Sequence, residues 1–192
     1  STLDRSSAAS DVYKRQIVIM AKSTRRETVL NAKVVALLQE QVGMEAHASA
    51  TYLAMSSWCE ANGFPKSAAF FLEHAEEERG HMLKIFHFLN DNGARAFSPE
   101  VKDIPQEFKG LRDVYEKTLD HEIAVTDSIN AIVKLARKEE DYASEHFLQW
   151  FVEEQLEEER LVRDILSWFD FVNEKESKFA LRLIDERIPV GA

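Results

Sequence analysis

The chain has 192 residues, 45% of them apolar, with only 6 Gly and 4 Pro, enough for one well-buried domain built from long helices. A formal net charge of −10 disfavours nucleic acid and anionic membrane as partners and suits cations. No run approaches the ~20 apolar residues of a membrane span, and the lone Cys59 excludes an internal disulfide and points to a reducing, cytoplasmic compartment.

Residues 1–22 are set apart from a domain over 23–192. Ser6–Gln16 reads SSAASDVYKRQ, which resembles a translated sequencing adaptor rather than selected protein, and Ile17–Ala21 is too short for a signal-peptide core. Removing Ser1–Ala21 takes out three basic and two acidic residues and leaves −11. An organellar address is the alternative if a targeting segment preceded the native start.

The spacing predicts a first helix from about Thr28 to Asn62. Val34, Val35, Leu38, Val42, Glu45, Ser49, Tyr52 and Met55 share one face. Gly63 followed by Phe64-Pro65 stops it and starts a second helix, Pro65 to Asn92, with Phe71, His74, Ala75, Glu78, His81, Met82 and Ile85 inside. Residues 94–109 carry Pro99 and Pro105 and no clean period. Such a segment reaches about 50 Å at roughly 3.3 Å per residue, more than the ~42 Å of a 28-residue helix. It therefore reads as a long crossover that makes the second and third helices parallel. The third helix is expected over Leu111–Lys138, with Tyr115, Leu119, Glu122, Val125, Ile129 and Ile132 inward. Glu139-Glu140-Asp141 turns the chain and caps a fourth helix reaching about Val172. Its inner residues are Leu148, Phe151, Gln155, Glu158, Val162, Ile165 and Phe169. A short fifth helix, about Glu176–Glu186, ends before Pro189. The fold class is all-α, a four-helix bundle plus a short C-terminal helix.

One pattern occurs twice along these helices. Glu45 precedes Glu78 by 33 residues, and Glu78 opens a Glu-x-x-His step to His81. Glu122 precedes Gln155 by the same 33, and Gln155 opens an i, i+3 step to Glu158. In a four-helix bundle this directs ligands from all four helices to one central point, the arrangement of a carboxylate di-iron centre. A lone Glu on an inner stripe is ordinarily a snorkelling or helix-end residue, and a lone Glu-x-x-His arises by chance in acidic helices. The repeated spacing on four helices is what argues for metal. Buried unpaired carboxylates are costly and raise one another's pKa, and two divalent cations remove both penalties. In the run Glu153–Arg160 the period turns Gln155 and Glu158 inward and Glu153 and Arg160 outward, while Glu154 and Glu157 flank the site. Tyr52, two turns beyond Glu45, is either a hydrogen-bonding or redox partner of the site or a satisfied core tyrosine. His74 has the same two readings. Trp150 and Trp168 read as core, and His47, His87, His121 and His146 have no evident partner. No phosphate loop, nucleophile elbow or Cys cluster is present.

At these residues the chain resembles the ferritins, specifically the bacterial-type non-haem ferritins. The resemblance spans about Thr28–Ile188 and rests on Glu45 with Tyr52, HAEEERGHM at His74–Met82, DHE at Asp120–Glu122, FLQWFVEEQLEEE at Phe147–Glu159 and LIDERI at Leu183–Ile188. It implies a hollow cage of about 24 subunits. It also implies one iron at Glu45, Glu78 and His81, a second at Glu78, Glu122 and Glu158, and Gln155 beside the pair. A third iron site matches Glu77, Glu154, Glu157 and Glu158, and Tyr52 matches the tyrosine beside the centre. A bacterioferritin would carry Glu and His where this chain has Gln155 and Glu158, and a haem-ligating Met where it has Arg79, so no haem is expected. Animal heavy-type ferritins usually lack a carboxylate at the Glu158 position, which favours the bacterial type.

The function so implied is iron storage and detoxification, with ferroxidase chemistry consuming Fe(II) and dioxygen. The alternatives are another di-iron oxidase or peroxidase without storage, and a non-catalytic bundle. Rubrerythrin-like peroxidases usually carry a Cys-rich iron domain that is absent here. A bundle without metal leaves Glu122 and Glu158 buried without compensation.

Overall fold

The computed structural model describes residues 27–172 and 177–191. Its helices are α1 (Ala32–Ala61), α2 (Pro65–Asp91), α3 (Leu111–Lys138), α4 (Tyr142–Phe169) and α5 (Lys178–Asp185). The proposed division at residue 22 lies outside the described residues, as does the expected start of the last helix at Glu176.

Helix boundaries follow local chemistry. α1 starts later than the period alone predicts because the Asn31 side chain accepts the Lys33 N–H and fixes the cap. Pro65 occupies the first turn of α2, where no N–H is needed. α3 keeps both expected ends. Asp141 caps α4 by accepting from the Ser144 N–H at 3.1 Å, and its other oxygen accepts the Asn31 N–H at 2.8 Å. One aspartate thus ties the start of α4 to the start of α1.

Topology follows from who meets whom at the ends. The start of α3 meets the start of α2, where the Tyr115 hydroxyl donates to Ser67 Oγ at 3.0 Å. The two helices therefore run parallel, as the long crossover requires. The crossover is pinned to the flank of α1: Gln39 donates to the Phe97 carbonyl and accepts the Phe97 N–H, both at 2.8 Å. α5 docks at the opposite end of the bundle from the Asn31–Asp141 tie. There the fully buried Asp185 accepts the Ser67 N–H at 2.8 Å and the Lys66 N–H at 3.2 Å, capping α2 from across the chain.

The apolar interior is split in two. One cluster gathers Tyr52, Met55, Phe70, Phe71, Tyr115 and Phe169, and the other gathers Val34, Leu38, Ile85, Ile129, Leu148 and Phe151. Between them lies a layer of polar residues from all four long helices.

Candidate metal centre

That layer contains the residues singled out by spacing. Glu45, Glu78, His81, Glu122, Gln155 and Glu158 are all buried, each 6% exposed or less. Ligand atoms of Glu45, Glu78 and His81 converge within 4.8 Å of one another. His81 Nδ1 lies 3.4 Å from Glu78 Oε2. The side chains follow from the periods: on α2 a three-residue step puts Glu78 and His81 on the same stripe, and on α4 the same step aligns Gln155 with Glu158.

The carboxylates are held unequally. Glu45 Oε1 accepts from Gln41 Nε2 at 2.9 Å, and Gln41 Oε1 in turn accepts from the Ser128 hydroxyl at 2.6 Å. Glu122 accepts from the Tyr52 hydroxyl through one oxygen and from Gln155 Nε2 at 3.1 Å through the other. By contrast Glu45 Oε2, Glu78 Oε2 and Glu158 Oε2 are buried with no hydrogen-bond partner. Three orphaned carboxylate oxygens in one layer are what a protein leaves for cations to fill.

Electrostatics agree. Burial, and then the neighbouring Glu78 charge, push Glu45 well above the ordinary carboxylate range. Burial followed by Glu122 does the same to Glu78. Glu158 is raised to about 9 by burial and by Glu122, Glu77, Glu154 and Glu157. Glu122 is also raised by burial, while its bonds to Tyr52 and Gln155 pull it back. Burial and Glu122 together keep the Tyr52 phenol protonated, so it serves as a donor.

A second acidic region abuts the first. A cavity of about 770 Å³ opens between α2, α4 and the C-terminal segment, lined by Glu77, Glu154, Glu157 and Glu158 among others. Glu77 groups with His81 and Glu154, and also with His74 and Glu158. Glu157 lines the cavity but joins neither group. His74, like Tyr52, has two readings in the sequence. Its Nδ1–H donates to the Phe70 carbonyl at 2.9 Å, which leaves the Nε2 lone pair facing Glu158 Oε2 at 3.6 Å. The available signal was its place one turn before Glu78. Gln41 was missed altogether, although a Gln one turn before Glu45 on a buried stripe needs a polar partner. Arg79 is exposed, and Trp150 packs edge-on to His81 with ring centres 5.3 Å apart.

Comparisons place this geometry. The ferritin-like domain model matches residues 35–171. A probable bacterial non-heme ferritin-like protein of Haemophilus influenzae is 42% identical over 146 residues, covering 76% of this chain and 88% of the relative. The bacterial non-heme ferritin of Campylobacter jejuni is also 42% identical, over 76% of this chain and 87% of its own length. The open-pore ferritin of Archaeoglobus fulgidus superposes with a TM-score of 0.78 at 31% identity, covering 82% of this chain and 96% of that one. Helix order, the polar layer and these matches together show that the chain belongs to the ferritin family.

Proposed function

We propose that this ferritin stores iron in a multi-subunit cage of about 24 copies, oxidising Fe(II) with dioxygen at the mid-bundle layer and depositing Fe(III) within. Three orphaned carboxylate oxygens in a layer fed by four helices carry this reading.

Iron is the substrate, and the chain's residues position it. Glu45, Glu78 and His81 hold one ion, and Glu78, Glu122 and Glu158 hold the other, with Glu78 between them. A pair of ions supplies the two electrons that the first two-electron reduction of dioxygen needs. Glu45 is oriented by Gln41, and Glu122 by Tyr52 and Gln155, so these two carboxylates arrive preset. Glu77, Glu154, Glu157 and Glu158, joined by His74, form a third position on the cavity side, where ions leave for the store. A single buried thiol suits a reducing, cytoplasmic compartment, and among the described residues no helix is long and apolar enough to cross a membrane.

The test is aerobic addition of excess Fe(II) to the metal-free protein, followed by size exclusion with iron and protein detected together. Storage predicts iron co-eluting with a large particle at far more than three atoms per chain. Two or three atoms per chain on a small species would instead mean a di-iron oxidase without storage. In the same assay Glu78→Ala is expected to lose the rapid oxidation phase, and a wild-type rate in that variant would overturn the site assignment.

A further inference from the structure

Of the imidazoles that the mechanism above leaves unused, two stand together. His47 on α1 and His121 on α3 pack nearly parallel, with ring centres 6.4 Å apart and planes inclined by 28°. They lie where α1 meets α3, on the other side of the polar layer from the α2–α4 cavity. His121 Nε2 is buried without a hydrogen-bond partner, and no carboxylate within salt-bridge reach is found for either ring among the described residues. His47 Nδ1 lies 3.3 Å from the hydroxyl of the buried Thr51. When that nitrogen donates to Thr51, the lone pair of His47 is left on Nε2. A metal-ligating histidine is commonly oriented in this way, by donating its other N–H to a fixed acceptor.

We propose that His47 and His121 together bind one divalent transition-metal ion, separate from the dinuclear centre. Two imidazoles with no acidic partner select borderline metals such as Zn²⁺, Co²⁺ and Fe²⁺ over Mg²⁺ and Ca²⁺. At ~2.0–2.1 Å from one nitrogen of each ring, an ion draws the ring centres together by about 1 Å, within reach of a modest side-chain rotation. The remaining positions belong to water, so binding is weak and exchangeable. The tyrosine that bonds Glu122 stands edge-on to His121, with ring centres 5.9 Å apart. An ion held here waits next to the dinuclear ligands, on the face away from the acidic cavity. This loading role rests on the ferroxidase reading, and the site itself does not.

Equilibrium dialysis of the assembled, metal-free protein against Zn²⁺ counts sites per chain. His47→Gln and His121→Gln are each expected to lower the count by one, and the double variant also by one, because the ion is shared. Glu78→Gln is expected to leave this particular site filled. Thr51→Val is expected to weaken it about tenfold, since only the orientation of His47 is lost. An unchanged count in His47→Gln, with wild-type melting and assembly, overturns the site. A loss of two ions in the double variant overturns the sharing. For the loading role, the apparent KM for Fe(II) should rise in His47→Gln while the saturating oxidation rate holds. A KM that stays put while the zinc count falls refutes the loading role and leaves the site standing.

Discussion

Replacing Glu158 by Gln should make the metal-free protein more stable at neutral pH, although it removes a proposed ligand. Glu158 is raised to about 9 from an ordinary 4.5, chiefly by burial and then by Glu122. In the unfolded chain the carboxyl ionises near 4.5, and in the folded chain it holds its proton until about 9. A group whose folded pKa is raised contributes its full stability below the unfolded value and loses it as pH rises toward the folded one. From 4.5 to pH 7 is 2.5 units, and at 1.36 kcal/mol per unit the loss is about 3 kcal/mol. Glutamine does not titrate and escapes it. In chelator, the advantage of Glu158→Gln over wild type should therefore grow by about 3 kcal/mol between pH 4 and pH 7. For a chain of this size that is roughly 6–12 °C in Tm by calorimetry. Saturating Zn²⁺ should reverse the order, because a metal that binds the native form stabilises only the protein that keeps its ligands. A Tm gap that is the same at both pH values would refute the reasoning.

Other substitutions probe the supports. Tyr52→Phe removes the donor to Glu122 and leaves that carboxylate with Gln155 alone, so metal-free stability should fall by about 1 kcal/mol and the fit of the second metal should loosen, read as weaker Co²⁺ binding with the first site intact. Asp185→Ala strips the buried Ser67 N–H and the part-buried Lys66 N–H at the start of α2 of their acceptor and should cost about 2 kcal/mol, seen as a lower Tm with α5 more open to proteolysis. Gly93→Ala places a Cβ 2.0 Å from the Glu27 carbonyl at a φ of +80°, so it should destabilise by more than the ~1–2 kcal/mol of the left-handed backbone alone.

The helices were legible because their signals are local. α3 begins after Gly110 and ends at the basic Arg137-Lys138 as its period predicts, and the crossover is marked by two prolines and the loss of any period. The polar layer was legible for a different reason: a repeated 33-residue spacing converts chain distance into a shared height in the bundle. What escaped depends on pairings between helices that no spacing repeats. Gln41 reaches Ser128 across 87 residues, Asp185 reaches Ser67 across 118, and His47 meets His121 through helix packing alone. His74 sat in plain view on the right stripe, yet its tautomer is set by the Phe70 carbonyl and its role by Glu77 and Glu158, which only the folded chain brings together.

The uneven support of the four carboxylates gives the centre a direction. Glu45 is held by Gln41, itself bonded to Ser128, and Glu122 by Tyr52 and Gln155, so neither can swing without breaking those bonds. Glu45, Glu78 and Glu158 each keep one oxygen with nothing to hold it, but only Glu45 has a Gln donor on its other oxygen. A carboxylate with no donor on either oxygen changes its mode of binding at less cost than one held on one side. Glu158 also belongs to the group with His74 and Glu77 that faces the acidic cavity. On the proposed reading, an ion released by Glu45 and His81 finds an oxygen on Glu158, and the oxygens and nitrogen grouped with Glu158 lie on the cavity side. On the opposite face stand His47 and His121, and imidazoles favour a trivalent ion far less than carboxylates do. On the proposed reading, oxidation itself supplies the bias: the extra positive charge of Fe(III) draws it toward the acids and away from the histidines, so iron crosses the layer one way.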